Sequence, residues 1–110
     1  MRLRSGRWLA LFVLGAASLF VLGAQPFAVG LVAPPFDKLA HALAYGALFL
    51  ALDCALVLPL WLAMLLALFV SAADELHQLW LPGRVPGVTD WLAGALGVVL
   101  VAAWRLVRRC

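Results

Sequence analysis

The chain has 110 residues, 67% of them hydrophobic and 12% charged, with a mean hydropathy of +1.11. A water-soluble domain of this length leaves too much surface in solvent to hide that much apolar side chain, so the composition excludes a soluble globular protein and places the chain in a membrane. The net charge of +3 comes mostly from arginines at the two ends, Arg2, Arg4 and Arg7 against Arg105, Arg108 and Arg109, which is a topology signal and not a nucleic-acid footprint.

The first predicted helix covers residues 8–26. Its uncharged run, Trp8 to Ala24, follows three arginines, as a secretory signal would. A retained membrane helix fits better, because Leu22 stands at the −3 position for a cut after Ala24, where a small residue is needed. Residues 25–36 carry Gln25, Pro26, Gly30, Pro34 and Pro35, which break helices and predict a loop. Phe27, Val29, Leu31, Val32 and Phe36 put that loop in the membrane interface. A second helix is predicted over residues 38–58, interrupted by His41, Tyr45 and Asp53. Pro59 separates it from a third, residues 60–80, which is uncharged until Asp74-Glu75-Leu76-His77-Gln78. Leu81-Pro82-Gly83-Arg84-Val85-Pro86-Gly87 has the composition of a tight turn. The fourth helix covers residues 90–107, with Thr89 or Asp90 as its N-cap.

The expected fold is an all-α membrane protein, one domain over residues 1–110, built as a bundle of four transmembrane helices of about 20 residues each. An even number of crossings lets both arginine-rich termini lie in the cytoplasm. The expected location is the cell inner (plasma) membrane, multi-pass, with the lipid bilayer as partner and no nucleic acid. Two cysteines, Cys54 and Cys110, make no disulfide framework and are expected as free thiols on the reducing side. Trp8, Trp61, Trp80, Trp91 and Trp104 fall near helix ends, as an anchoring aromatic belt would. So small a bundle is also compatible with a homodimer.

With the termini inside, Asp37, Lys38, His41, Asp74, Glu75, His77, Arg84 and Asp90 belong to the outer half, and Asp53 is expected to be solvated on the inner side. Acids inside an apolar helix are costly and usually face a partner or a water-filled cavity. Asp37, His41 and Tyr45 are spaced i, i+4, i+8 and form one stripe of the second helix. Asp74, His77 and Gln78 share a face of the third, with Glu75 rotated by about 100°. At 1.5 Å per residue, His41 and Tyr45 lie roughly 5 and 10 Å below the start of their helix, a depth that Asp74 and His77 match from theirs. Small residues, Ala40, Ala44, Ala47 and Ala51 on one helix and Gly94 and Gly97 on another, let the faces approach. The expected result is an outward-facing polar pocket between the second, third and fourth helices, lidded by the Pro82–Pro86 loop.

Asp37-Lys38-Leu39-Ala40-His41, Tyr45, Asp74-Glu75-Leu76-His77-Gln78, Pro82-Gly83-Arg84 and Asp90 together resemble the VanZ-like family, small membrane proteins named for a teicoplanin-resistance determinant. The resemblance covers about Phe36 to Val99. Its most specific part is the combination of Asp-Glu-x-His-Gln, Pro-Gly-Arg and an Asp six residues after the Arg. The family often has Ser where this chain has Gly87 and Asn where it has Gly94. The resemblance implies an envelope role and reduced glycopeptide (teicoplanin) susceptibility, and it brings no established reaction.

The candidate catalytic residues are Asp74, Glu75, His77 and His41: a carboxylate as general base or proton carrier, an imidazole as its partner. Asp37, Tyr45, Gln78, Arg84 and Asp90 are the candidate binding residues. Arg84 is either an anchor for an anionic group of a glycopeptide or lipid-linked envelope ligand, which its planar fork suits, or an ion-pair partner closing the loop. Asp37 and Asp90 also have the simpler role of helix N-terminal acids. No cofactor is assigned. Asp74, Glu75, His77, His41 and Asp37 are residue types that hold divalent metals, but no HExxH or cysteine cluster supports a metal site, and none is predicted. At this level a resistance or modification factor, a membrane-embedded hydrolase and a structural protein whose polar cluster only ties helices together all stay open.

Overall fold

The computed structural model describes residues 2–25, 36–80 and 88–108. In chain order these form β1 (Arg2–Leu3), α1 (Gly6–Gly23), α2 (Phe36–Ala55), β2 (Leu56–Val57), α3 (Leu60–Gln78) and α4 (Val88–Val107). The helices are 18–20 residues long and apolar enough to cross a membrane. At 1.5 Å per residue each is about 27–30 Å in length, the thickness of a bilayer's hydrocarbon core. Their outward side chains, Leu43, Phe69, Leu100 and Leu106 among them, are exposed and apolar on every side. The chain is a multi-pass membrane protein, with four such helices among the described residues.

Local chemistry sets the boundaries. α1 starts at Gly6 because Ser5 is extended and its hydroxyl accepts the Trp8 N–H at 3.4 Å, satisfying a donor the helix leaves open. α2 stops at Ala55 because the next two residues pair with the N-terminus. Arg2 lies opposite Val57 and Leu3 opposite Leu56 in an antiparallel strand pair that the sequence reading did not contain. The Arg4 and Ser5 N–H groups then donate to the Ala55 carbonyl, at 2.7 and 3.1 Å, using an acceptor from the last turn of α2. Pro59 begins α3: its carbonyl accepts from Leu62 and Ala63, and it has no N–H to leave orphaned. Thr89 and Asp90, expected as caps of the fourth helix, lie inside its first turn.

α2 is the central helix. Nine of its residues are buried, whereas α1 has none and packs on the outside of α2. The tightest approach is between α2 and α4. A Cβ on Gly97 would come within 2.7 Å of the Ala42 carbonyl carbon and 2.8 Å of its Cα, and one on Gly46 would come within 3.1 Å of the Gly97 carbonyl oxygen. Backbone meets backbone here, which only side-chain-free positions allow. The small residues of α2 that meet α4 are thus Ala42 and Gly46. Of the alanine row expected to admit a neighbour, Ala44, Ala47 and Ala51 face α1, lining an apolar groove of about 370 Å³ with Leu11, Gly15 and Leu19. Tyr45, Leu48, Phe49, Val98 and Ala102 fill the core beside that contact.

The α2–α4 pairing brings together groups at both ends. At one end Asp53, expected to be solvated, is wholly buried and accepts from Arg105 Nε at 3.1 Å. Arg105 Nη1 also donates to the Arg108 carbonyl. Cys54 beside them is disulfide-bonded, which corrects the free thiol expected there; Cys110 lies outside the described residues. The opposite end gathers the first turns of α2 and α4 and the last turns of α3.

Candidate functional site

Three layers of polar contacts descend from that second end. In the first, Asp37 sits in the opening turn of α2, where the helix dipole favours an acid. Lys38 Nζ lies 3.2 Å from Asp37 Oδ2 and is bonded to Asp90 Oδ1 in the first turn of α4. Lys38, absent from the candidate residues, is therefore the cation linking two of them. The signal was in the Asp37–His41 segment itself, where the chain's one lysine follows Asp37.

One turn deeper, His41 Nδ1 lies 2.9 Å from the Asp37 carbonyl oxygen. A carbonyl only accepts, so the bond assigns the hydrogen to Nδ1 and turns Nε2 outward. Nε2 lies 3.3 Å from Glu75 Oε1 of α3, within ion-pair range. The two are not aligned as a hydrogen bond, and both Glu75 oxygens are buried with no hydrogen-bond partner. The residue as a whole is 9% exposed.

In the third layer Tyr45 donates its hydroxyl to Asp74 Oδ2 at 2.5 Å, and Gln78 Nε2 donates to the same oxygen at 3.4 Å. Asp37, His41 and Tyr45 thus act from one stripe of α2, while Asp74 and Glu75 meet it at successive depths. His77 goes elsewhere: its ring lies 5.6 Å from that of Phe20 in α1, and its Nδ1 has no hydrogen-bond partner. Arg84, with the turn expected to form a lid, lies outside the described residues.

Two further residues frame the cluster. Trp91, expected only as an anchor, donates its indole N–H to the Leu68 carbonyl at 3.2 Å and ties α4 to α3. Ser71 is fully buried in α3, with an unpartnered hydroxyl. A Cβ on Gly94 would lie 3.2 Å from that hydroxyl and 3.1 Å from Tyr45 Cδ2. A side chain at position 94 would therefore press on Ser71 and Tyr45. Neither residue announces itself in sequence: a lone serine in an apolar helix has many uses, and tryptophan is common at helix ends.

The chemistry divides by layer. Asp74 is satisfied by a phenol and an amide and joins α2 to α3. Lys38 and Asp90 join α2 to α4. Among the described residues Glu75 is a carboxylate with both oxygens buried and without a hydrogen bond, facing the His41 imidazole at 3.3 Å. His41, Glu75 and Asp90 each place one ligand atom within 4.8 Å of the others, whereas Asp74 is engaged by Tyr45 and His77 faces α1.

No curated protein and no solved structure shows a significant match to this chain. The VanZ/LLP1 family model, by contrast, matches residues 4–108, nearly its whole length. The match takes in all four helices and every residue of the polar cluster, and the chain belongs to the VanZ/LLP1 family.

Proposed function

We propose that the polar end of the bundle binds a polar group of a cell-envelope molecule, and that through it the protein lowers susceptibility to glycopeptides such as teicoplanin. The observation that carries this reading is Glu75. A helix tie needs its polar groups satisfied, as Asp74 is by Tyr45 and Gln78. Both Glu75 oxygens are buried without a hydrogen bond, with the His41 ring 3.3 Å away, and a carboxylate held so persists where a ligand uses it. In this reading the protein lies in the plasma membrane with both termini in the cytoplasm. The arginines flanking α1 and α4 support that orientation, which turns the Glu75 end outward.

The test is expression in a glycopeptide-susceptible Gram-positive host. Wild type raises teicoplanin tolerance, and Glu75→Gln and His41→Ala lose the gain at equal membrane abundance. A wild-type protein that leaves tolerance unchanged, or variants that keep it, contradicts the proposal.

The His41–Glu75 contact favours a second reading, a membrane-embedded hydrolase. Glu75 would be the general base and His41 its partner, within reach of each other at 3.3 Å. Turnover of a lipid-linked envelope substrate by purified protein, abolished in Glu75→Gln, distinguishes it from binding alone.

A further inference from the structure

His41 Nε2 and Glu75 Oε1 face each other across 3.3 Å without an aligned hydrogen bond. His41 Nδ1 is held by the Asp37 carbonyl, so the atom directed at Glu75 is Nε2. Fixing one ring nitrogen on a backbone carbonyl so that the other is free to coordinate is how proteins prepare histidine as a metal ligand. Glu75 brings a second requirement from another helix, because its buried oxygens have no hydrogen-bond donor. The spacing suits a shared cation. A tetrahedral ion with bonds of about 2.0–2.1 Å to nitrogen and oxygen holds its donors roughly 3.3 Å apart. The observed separation of Nε2 and Oε1 is 3.3 Å. Asp90 contributes an oxygen within 4.8 Å of both; Lys38 bonds its Oδ1, and a carboxylate has a second oxygen to offer.

We propose that His41, Glu75 and Asp90 hold one divalent cation of the zinc class between α2, α3 and α4. Two carboxylates and one imidazole balance the charge of such an ion. Three protein ligands leave a fourth position for an oxygen of water or of an anionic group. The identity of that fourth ligand, a phosphate or carboxylate of an envelope molecule, rests on the proposed function; the cation itself does not. Asp74 and His77 are outside the set, although they flank Glu75 in sequence.

The experiment uses full-length protein in detergent, stripped with a chelator and titrated with Zn²⁺ against a chromophoric competitor, and in parallel with Co²⁺. The expected result is one ion per chain, with the visible absorption of four-coordinate Co²⁺. Affinity falls at least tenfold in His41→Gln, Glu75→Gln and Asp90→Asn and stays at the wild-type value in Asp74→Asn, with helicity by circular dichroism confirming that each variant is folded. Should a variant fail to fold, the Co²⁺ spectrum of the wild type decides: bands of a six-coordinate aquo ion overturn the site, and tetrahedral bands support it. Substoichiometric binding, or equal binding by the ligand variants and Asp74→Asn, also overturns it and leaves His41 and Glu75 as a plain ion pair. None of these readouts depends on teicoplanin tolerance, so the two proposals fail separately.

Discussion

Tyr45 and Asp74 show what a satisfied polar contact does in this bundle. Their 2.5 Å bond joins α2 to α3 where no water competes. Tyr45→Phe leaves a buried carboxylate short of its best donor, and the unfolding free energy in detergent is expected to fall by about 1–3 kcal/mol. At the other end, Arg105→Met removes the cation that pairs with the buried Asp53 and is expected to cost about 3–5 kcal/mol, while Asp53→Asn combined with Arg105→Met recovers most of that loss. If the double variant is no better than Arg105→Met alone, the pair does not act as a unit. The Asp37–His41–Tyr45 stripe was legible because i, i+4 spacing fixes a shared face whatever surrounds the helix. The fate of Asp53 was not, because its partner lies 52 residues away and arrives only through the packing of α2 on α4. Glu75 fell between: its rotation from Asp74 follows from helix geometry, but its approach to His41 depends on how α3 crosses α2.

At the scale of elements, the bundle depends on the glycine contact between α2 and α4. Gly97→Ala forces a Cβ into the Ala42 backbone, so the helices separate. The expected loss is about 1–3 kcal/mol, from overpacking that no rotamer relieves. Gly6→Ala, with nothing within 4 Å of the new methyl, is expected to be neutral or slightly stabilising, which makes it the control in the same denaturation series. Composition showed four spans because each is long, apolar and bounded by proline, glycine or charge. It could not show which small residues face which neighbour, since Ala42 and Gly46 sit on the same helix as Ala44, Ala47 and Ala51, and only the arrangement of the bundle assigns each row. The β1–β2 pair was invisible because two residues per strand carry no alternation to detect.

Over the whole molecule, the N-terminal strand, the α2–α3 link and the Asp53–Arg105 pair share one end, and the Lys38, His41 and Glu75 layers occupy the other. A reporter active only outside the cytoplasm is expected to be silent when fused after Arg108 and active when inserted between α3 and α4; the reverse pattern turns the polar end inward and removes an extracellular ligand from the account. The separation of ends also frames the central claim, that the Glu75 cluster exists for binding or chemistry and not for cohesion. Its most direct test is the unfolding midpoint of chelator-stripped protein in detergent for wild type, Glu75→Gln and Tyr45→Phe. The account predicts that Glu75→Gln, which removes a buried carboxylate that no hydrogen bond satisfies, unfolds at or above the wild-type midpoint while Tyr45→Phe unfolds below it. If Glu75→Gln is destabilised as much as Tyr45→Phe, Glu75 is part of the scaffold, and the case for a functional site there is lost.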